Sequence, residues 1–375
     1  MRIGLLASMG HMIDSFFTGF ITSWESAGHT VSVAAGTPVD DGRSVEIDGL
    51  TRRPGPGILR AGQGLRRWVD EQRLDVVVTN SATASSIVRM SRVSAPVVYF
   101  CHGLHWNSGR HADERLWQFV EAALLSRTAG VITINADDLA WFAARLDDRR
   151  VLNLPAGVGL DLAAYPPSPV PSRRALSVQE LRLLWVGEFS PRKRPGLALD
   201  LALRLRDAGI PFTLRMLGQG DLLTSTRARI RDLSLESQVE APGRGDAAAE
   251  LASSHSLIHT ATWEGLPRVM LESLAVGRRA YAFDVKGVRD IPHAVLSPDA
   301  DTTALADRIA ADWVSGALLQ PPGFDRETLD VSHSAERIRR FLEDVVVGPQ
   351  FITARGDRAR QSPPGLTSES QNGTP

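Results

Sequence analysis

Lysine is nearly missing from this chain: of its 42 basic residues, all but Lys193 and Lys286 are arginine. The richness in arginine reads most plainly as codon bias, but it makes the places of the two ammonium groups worth tracing. Cysteine is scarcer still. A single Cys101 excludes an intramolecular disulfide and a cysteine-built zinc site, and it suits a reducing, cytoplasmic setting. Also missing is any run of 18 consecutive apolar residues, so no membrane-spanning helix is expected. The opening stretch MRIGLLASMGHMIDSFF has one basic residue and an apolar run too short and interrupted for a signal peptide, so export is not expected either.

Nor does one sign of charge dominate. A formal net charge of -1 gives no global attraction to nucleic acid, so no nucleic-acid partner is expected and any phosphate must be held locally. There is no nucleophile elbow, no His-Glu-x-x-His helix and no Walker loop, which counts against hydrolase and NTPase readings. The stretch LGQGDLL offers Gly218 and Gly220 without the third glycine of the dinucleotide fingerprint, and the turn at Gly10 and His11 also falls short of it.

What is present is an alternation. At 375 residues and 43% hydrophobic content the chain suggests two domains. Short apolar, β-branched runs at 2–8, 30–36, 75–80, 96–103 and 130–135 read as strands of a parallel sheet covered on both faces. Between the first two, Phe16, Phe17, Phe20, Ile21 and Trp24 recur at helical spacing before Gly28, as in a crossover helix. A proline-rich stretch divides the chain near its middle. Beyond it the pattern resumes with strands at 181–187, 212–218, 256–261 and 279–285 and a helix over about 195–208. The expected organisation is two doubly wound α/β domains facing a cleft: 1–165, a linker over 166–180, 181–330, a helix over 331–346 turning back toward the first domain, and a disordered tail over 347–375.

Chemistry concentrates in four stretches. In TWEGLPRVMLESLAVG, seven residues separate Glu264 from Glu272, and Pro267 stands in the first turn of a helix whose free amides suit a phosphate. Glu272 lies inside that helix among apolar neighbours, where a carboxylate needs donors; the plainer reading is a solvent-facing or arginine-paired glutamate. In LWVGEFSPRKRP a strand ends at Gly187 and a loop brings Arg192, Lys193 and Arg194, either a diphosphate clamp or a solvated basic turn. His102 closes a strand in VYFCHGLHW, where a structural role is the plainer reading, and Gly10 and His11 follow the first strand.

Taken in order, SMGHMIDSFF, CHGLHW, VITINADDLAWF, LPAGVGLD, VGEFSPRKRP, EGLPRVMLESLAVG and DVKGVRDI resemble the retaining glycosyltransferases of the GT-B fold, glycosyltransferase family 4, and within it the capsular- or exopolysaccharide-type members. The resemblance spans roughly residues 1 to 345, and the glutamate pair is its most specific element. It implies that the C-terminal domain binds a nucleoside diphosphate sugar, UDP- or GDP-linked, while the N-terminal domain faces a saccharide or lipid-linked acceptor. Glu272 would accept from the ribose hydroxyls and Glu264 from those of the sugar. The turn of Gly265, Leu266 and Pro267 would hold the phosphates. Lys193, helped by Arg192, would hold the diphosphate next to Gly187 and Gly218. His102 would reach the sugar near its anomeric carbon, and Gly10 and His11 would lie under the phosphates or the acceptor.

No metal and no resident cofactor is implied, since the helix end and Lys193 would take the leaving group's charge. Two departures from the family stand out: Glu188 follows Gly187 where arginine is usual, and Arg279 replaces a common proline. Other readings stay open. An epimerase or phosphorylase can share the architecture, the latter needing Lys193 or Lys286 for pyridoxal phosphate, and Glu188 and Arg279 would suit a relative that binds sugar nucleotide without turnover. The stretch 51–73, with Arg52, Arg53, Arg60, Arg66, Arg67 and Trp68, could rest on anionic membrane at the inner face of the cell.

Overall fold

The computed structural model describes residues 1–53, 55–104, 106, 114–172 and 180–348. Seven parallel strands form the first sheet: β1 (Arg2–Ala7), β2 (Thr30–Ala35), β3 (Ser44–Glu46), β4 (Val76–Thr79), β5 (Val97–Phe100), β6 (Gly130–Thr133) and β7 (Val151–Asn153), in the order β3-β2-β1-β4-β5-β6-β7. The four residues of each of β4, β5 and β6 are buried on both faces, which is why their sequences run apolar without alternation. Helices α1 (Gly10–Phe16) and α2 (Thr18–Ser26) cover one face. The other carries α3 (Ile58–Glu71), α4 (Ala82–Ser91), α5 (Glu114–Leu124) and α6 (Ala136–Ala143).

The expected single crossover helix is two. Phe17 leaves helical geometry at φ -121° between them, and its ring turns inward to meet Phe100 edge-on at 5.6 Å.

A second all-parallel sheet holds β8 (Leu181–Val186), β9 (Phe212–Leu217), β10 (Val239–Gly243), β11 (Ser256–His259), β12 (Arg279–Phe283) and β13 (Val295–Ser297), in the order β10-β9-β8-β11-β12-β13. Its layers are α7 (Pro195–Asp207), α8 (Leu223–Asp232), α9 (Ala247–Ser253), α10 (Arg268–Val276) and α11 (Thr302–Ser315). Pro195 stands at the first position of α7, where a missing N–H costs nothing, and the Asp301 carboxylate caps α11 by accepting from the Ala304 amide. The two sheets, each with helices on both sides, are the two Rossmann-like layers of a GT-B architecture.

The chain crosses between the halves twice. From Tyr165 it runs along the C-terminal half, where the fully buried Arg278 donates to the carbonyls of Ser168 and Pro169 as well as to Leu251, Ala252 and Ser254. The rest of the expected linker, 173–179, lies outside the described residues, as does the expected tail beyond Gly348. After α11 the chain returns as α12 (Val331–Val347), which sets Ala335, Ile338, Phe341 and Leu342 into the N-terminal core and takes a hydrogen bond at Ala335 O from the buried Trp24 indole, 3.0 Å away.

Candidate active site

In each sheet the strand order reverses at one point, between β1 and β4 and between β8 and β11. Loops leaving such a pair diverge and open a crevice at the carboxyl ends of the strands. Gly10 and His11 follow β1, Asn80 follows β4 and His102 follows β5; Gly187 to Arg194 follow β8, and Thr260 to Pro267 follow β11. All the stretches singled out for chemistry therefore lie on the two rims of one cleft.

Glu264 is the electrostatic centre of the C-terminal rim. Its side chain is 9% exposed and takes Arg192 Nη1 at 2.7 Å on one oxygen and Lys193 Nζ at 2.5 Å on the other. Behind them the fully buried His259 stands with Nε2 3.4 Å from the same carboxylate. Burial alone would raise the Glu264 carboxyl, but the His259 contact and the charges of Lys193 and Arg192 more than reverse it and hold it well below the usual carboxylate range. His259 is held below its ordinary value, chiefly by burial, so it stays neutral. Two cations against one carboxylate leave the rim with a net positive charge, the sign a diphosphate requires.

The third cation of the loop points elsewhere. Arg194 adopts φ 50° at the start of α7 and donates to the carbonyls of Thr260 and Ala261 and to Asp299, so it braces the loop instead of clamping a ligand. The Thr260 hydroxyl donates to Lys193 O, and the Thr262 amide to Arg192 O, so the 190–194 and 260–264 loops are stitched together. Gly187 and Gly218 form the floor: a Cβ on Gly218, at φ 143°, would sit 1.8 Å from the Gly187 carbonyl oxygen. Glu188 is exposed.

Pro267 is the residue before α10 and not its first turn, with extended geometry at ψ 96°. Having no N–H, it donates nothing to a phosphate; the donors here are Leu266, Arg268 and Val269, whose amides find no backbone acceptor. Glu272, one turn into α10 and 8% exposed, accepts from Arg268 Nε at 3.1 Å, and its charge reaches the Tyr165 phenol. Burial and then the Glu272 carboxylate push the Tyr165 phenol up. Without a ligand, then, the expected ribose acceptor has a donor of its own, an arginine four residues back on the same helix.

On the N-terminal rim His102 stacks on Phe100 at 4.5 Å and points Nε2 at the Asn80 side-chain oxygen. Desolvation lowers it to about 4, so it is neutral, with Nε2–H as the donor and Nδ1 as a free lone pair. Gly10 begins α1; its amide is taken by Thr37 Oγ1 at 2.9 Å, and a Cβ there would meet the Pro38 carbonyl at 1.9 Å. The Gly10 amide is thus not available to a ligand in this conformation. His11 is exposed.

The two rims meet around the loop before α10. A Cβ on Gly265 would lie 1.8 Å from the His102 carbonyl oxygen, and the Gly265 carbonyl accepts from Asn135 Nδ2 at 3.0 Å. Leu266 packs into the cores of both halves, and Arg268 Nη1 reaches Ser15 O at 3.3 Å. Tyr165, His259 and Arg268 escaped the sequence reading. Arg268 could have been found, since it stands four residues before Glu272 on one helix face; His259 and Tyr165 carry no local signal, and only the fold brings them to the glutamates.

Among the described residues, no group of three or more His, Cys, Asp or Glu is placed to hold a metal ion. The chain matches two family models: a glycosyl transferase 4-like domain over residues 15–157 and glycosyl transferases group 1 over residues 180–311. Each half of the chain thus matches one glycosyltransferase domain family, and the fold is GT-B. EpsF of Bacillus subtilis (strain 168), named as a glycosyltransferase, is 26% identical over 200 residues, 51% of this chain and 52% of that protein. The amylovoran biosynthesis glycosyltransferase AmsK of Erwinia amylovora is 30% identical over 141 residues, 34% and 35% of the two. The aligned region thus spans about half the length of these curated relatives, or less. Among solved structures, Anabaena HepE in complex with UDP has a TM-score of 0.74 at 18% identity over 92% of this chain and 100% of that one. Sucrose-phosphate synthase from Thermosynechococcus elongatus has 0.68 at 18%, over 92% and 96%. Likeness at this identity is a likeness of fold, and it agrees with the paired sheets.

Proposed function

We propose that the chain is a retaining glycosyltransferase of the family 4, exopolysaccharide type, which moves a hexosyl unit from a UDP- or GDP-linked sugar to a hydroxyl of a growing polysaccharide, glycolipid or lipid-linked oligosaccharide. The observation that carries this reading is the pair of cations, Lys193 and Arg192, held by Glu264 beside the open amides of α10 at the switch point of the second sheet. The names of relatives support the polymer class, since AmsK serves amylovoran and a further match, WcaL of Escherichia coli (strain K12), is named for colanic acid. HepE was crystallised with UDP and with UDP-glucose, which supports a uridine nucleotide.

In this reading the incoming diphosphate lies over Leu266, Arg268 and Val269 and draws Lys193 and Arg192 off Glu264. The released carboxylate then turns to the hydroxyls of the sugar. Breaking the bond between the anomeric carbon and the phosphate oxygen leaves negative charge on the diphosphate, and the cations with the helix end bind that charge more tightly than the ground state. Such a site does its work without a divalent ion. His102, neutral and backed by Asn80, faces the sugar as a hydrogen-bonding partner and not as a cation. Among the described residues no side chain stands out as a covalent nucleophile; departing phosphate oxygen takes the acceptor's proton on the same face, so configuration is kept.

The N-terminal half takes the acceptor, at the inner face of the cell membrane. Arg52, Arg53, Arg60 and Arg67 are exposed, and α5, packed on the far side of α4, shows Leu116, Trp117 and Phe119 at 61%, 41% and 72% exposure. This moves the membrane patch expected from sequence. Trp68 is buried and bonded to Ser32, and the apolar part comes from α5. Release of nucleoside diphosphate from a panel of UDP- and GDP-sugars, with the product's anomeric configuration read by NMR, tests the reading. It expects slow turnover of one donor and a retained configuration; binding without any turnover would favour a non-enzymatic relative, and an inverted product would remove the retaining assignment.

A further inference from the structure

The second of the two lysines lies at the contact between the rims and has no part in the chemistry above. Lys286 follows β12 in the C-terminal half and is 6% exposed. Its backbone carbonyl accepts from the Glu264 amide at 3.0 Å, and the next residue, Gly287 at φ 75°, lies so close that a Cβ would be 2.4 Å from Glu264 O and 2.6 Å from Gly265 O. The main chain of Lys286 is therefore the back wall of the Glu264 loop.

Its side chain crosses to the other half. Nζ donates to Leu104 O at 2.5 Å and lies in charge contact with Asp138 Oδ1 at 2.6 Å, where Asp138 is fully buried at the start of α6. The other Asp138 oxygen accepts from the Leu104 amide at 3.0 Å and from Asn135 Nδ2 at 2.8 Å, and that same Asn135 amide group donates to Gly265 O. Leu104 is two residues beyond His102. One residue thus grips the loop of Glu264 through its backbone and the turn of His102 through its side chain.

A buried ion pair contributes little net stability over an apolar pair of the same shape, but losing one partner leaves the other charged and unsolvated. What such a pair supplies is a single geometry. A methionine could fill the stem's space without reaching Leu104 O, and an arginine would keep the charge with a bulkier head.

We propose that Lys286 is a positioning residue which, with Asp138, sets the spacing between the His102 turn and the Glu264 loop across the cleft. The proposal rests on the reading that these two groups face one sugar from opposite rims. The nucleotide contacts of that reading, Lys193, Glu272 and the α10 amides, all lie in the C-terminal half and do not pass through Lys286.

The test uses the full chain as wild type, Lys286→Met, Lys286→Arg, Asp138→Asn and the Met/Asn double variant. UDP or GDP binding, donor KM and kcat are measured together with the distance between spin labels at Leu59→Cys and Val314→Cys, both on exposed sites. Expected are a loss of kcat of at least tenfold in Lys286→Met and Asp138→Asn, nucleotide affinity and donor KM within threefold of wild type, a longer or broader label distance, partial rescue in Lys286→Arg, and a double variant no worse than the poorer single one. Asp138→Asn keeps the side chain's shape and so remains informative if Lys286→Met does not fold. An unchanged kcat with an unchanged label distance overturns the proposal, and so does a double variant whose loss is the product of the two single losses. A wild type that binds no nucleoside diphosphate would instead sink the functional reading, and the label distances would still report on the spacing.

Discussion

Glu264 is a carboxylate whose burial favours the neutral form, yet two cations and a histidine keep it ionised. That arrangement separates the roles of its neighbours. In the proposed reaction Lys193 meets charge that grows as the donor bond breaks, so Lys193→Ala is expected to lower kcat about a hundredfold, the scale of losing one preorganised donor in an oxyanion site. In the same proposal Glu272 meets a ribose that does not change during reaction, so Glu272→Ala is expected to weaken nucleotide binding about tenfold, roughly one charge-assisted hydrogen bond, with kcat nearly kept. Steady-state kinetics beside calorimetry separates the two; equal small effects would count against both roles. His102 gives a pH signature. Desolvation lowers its pKa to about 4 from 6.5, so the unfolded chain binds a proton that the folded one refuses. The stability this residue supports is complete above pH 6.5 and is lost as pH falls from 6.5 toward 4. Thermal melts at pH 7.5 and 5.0 should show a smaller drop for His102→Asn than for wild type.

At the scale of elements, the loop before α10 does the most. Gly265 is pressed against the His102 carbonyl, and its replacement cannot be absorbed by a flexible neighbour because the obstacle is backbone. Gly265→Ala is expected to keep both folded halves, seen as unchanged far-UV circular dichroism, while cutting turnover at least tenfold; full activity would show that the rims do not need this contact. The sequence exposed the inner strands and hid the outer ones. β4, β5 and β6 are buried on both faces and read as continuous apolar runs. The four strands that escaped notice, β3, β7, β10 and β13, are the outermost of their sheets, three to five residues long, and carry little apolar signal. The glutamate pair and the Arg192–Lys193 pair were each legible as a short stretch after a strand, although their meeting at Glu264 spans 71 and 72 residues. Tyr165, His259 and the Lys286–Asp138 pair were not, because partners lying 5 to 148 residues apart meet only once the sheets are built.

For the whole molecule, two halves with independent cores meet along a cleft, and α12 returns to brace the first half. No helix among the described residues is long and apolar enough to cross a membrane. In the proposed membrane contact, the exposed arginines of the N-terminal half would each add about 1 kcal/mol where well placed, beside the apolar side chains of α5. Flotation with anionic liposomes is expected to carry the protein at low salt and release it at high salt, and Phe119→Ser with Leu116→Ser to weaken it; no binding at low salt removes the membrane contact. The central claim concerns the nucleotide. A crystal structure with UDP or GDP is expected to show the diphosphate on Lys193, Arg192 and the amides of Leu266, Arg268 and Val269, with the ribose hydroxyls on Glu272 and Arg268 displaced from it. A nucleotide lying anywhere else, or a Glu272 that keeps Arg268 while the ribose binds another group, would contradict it.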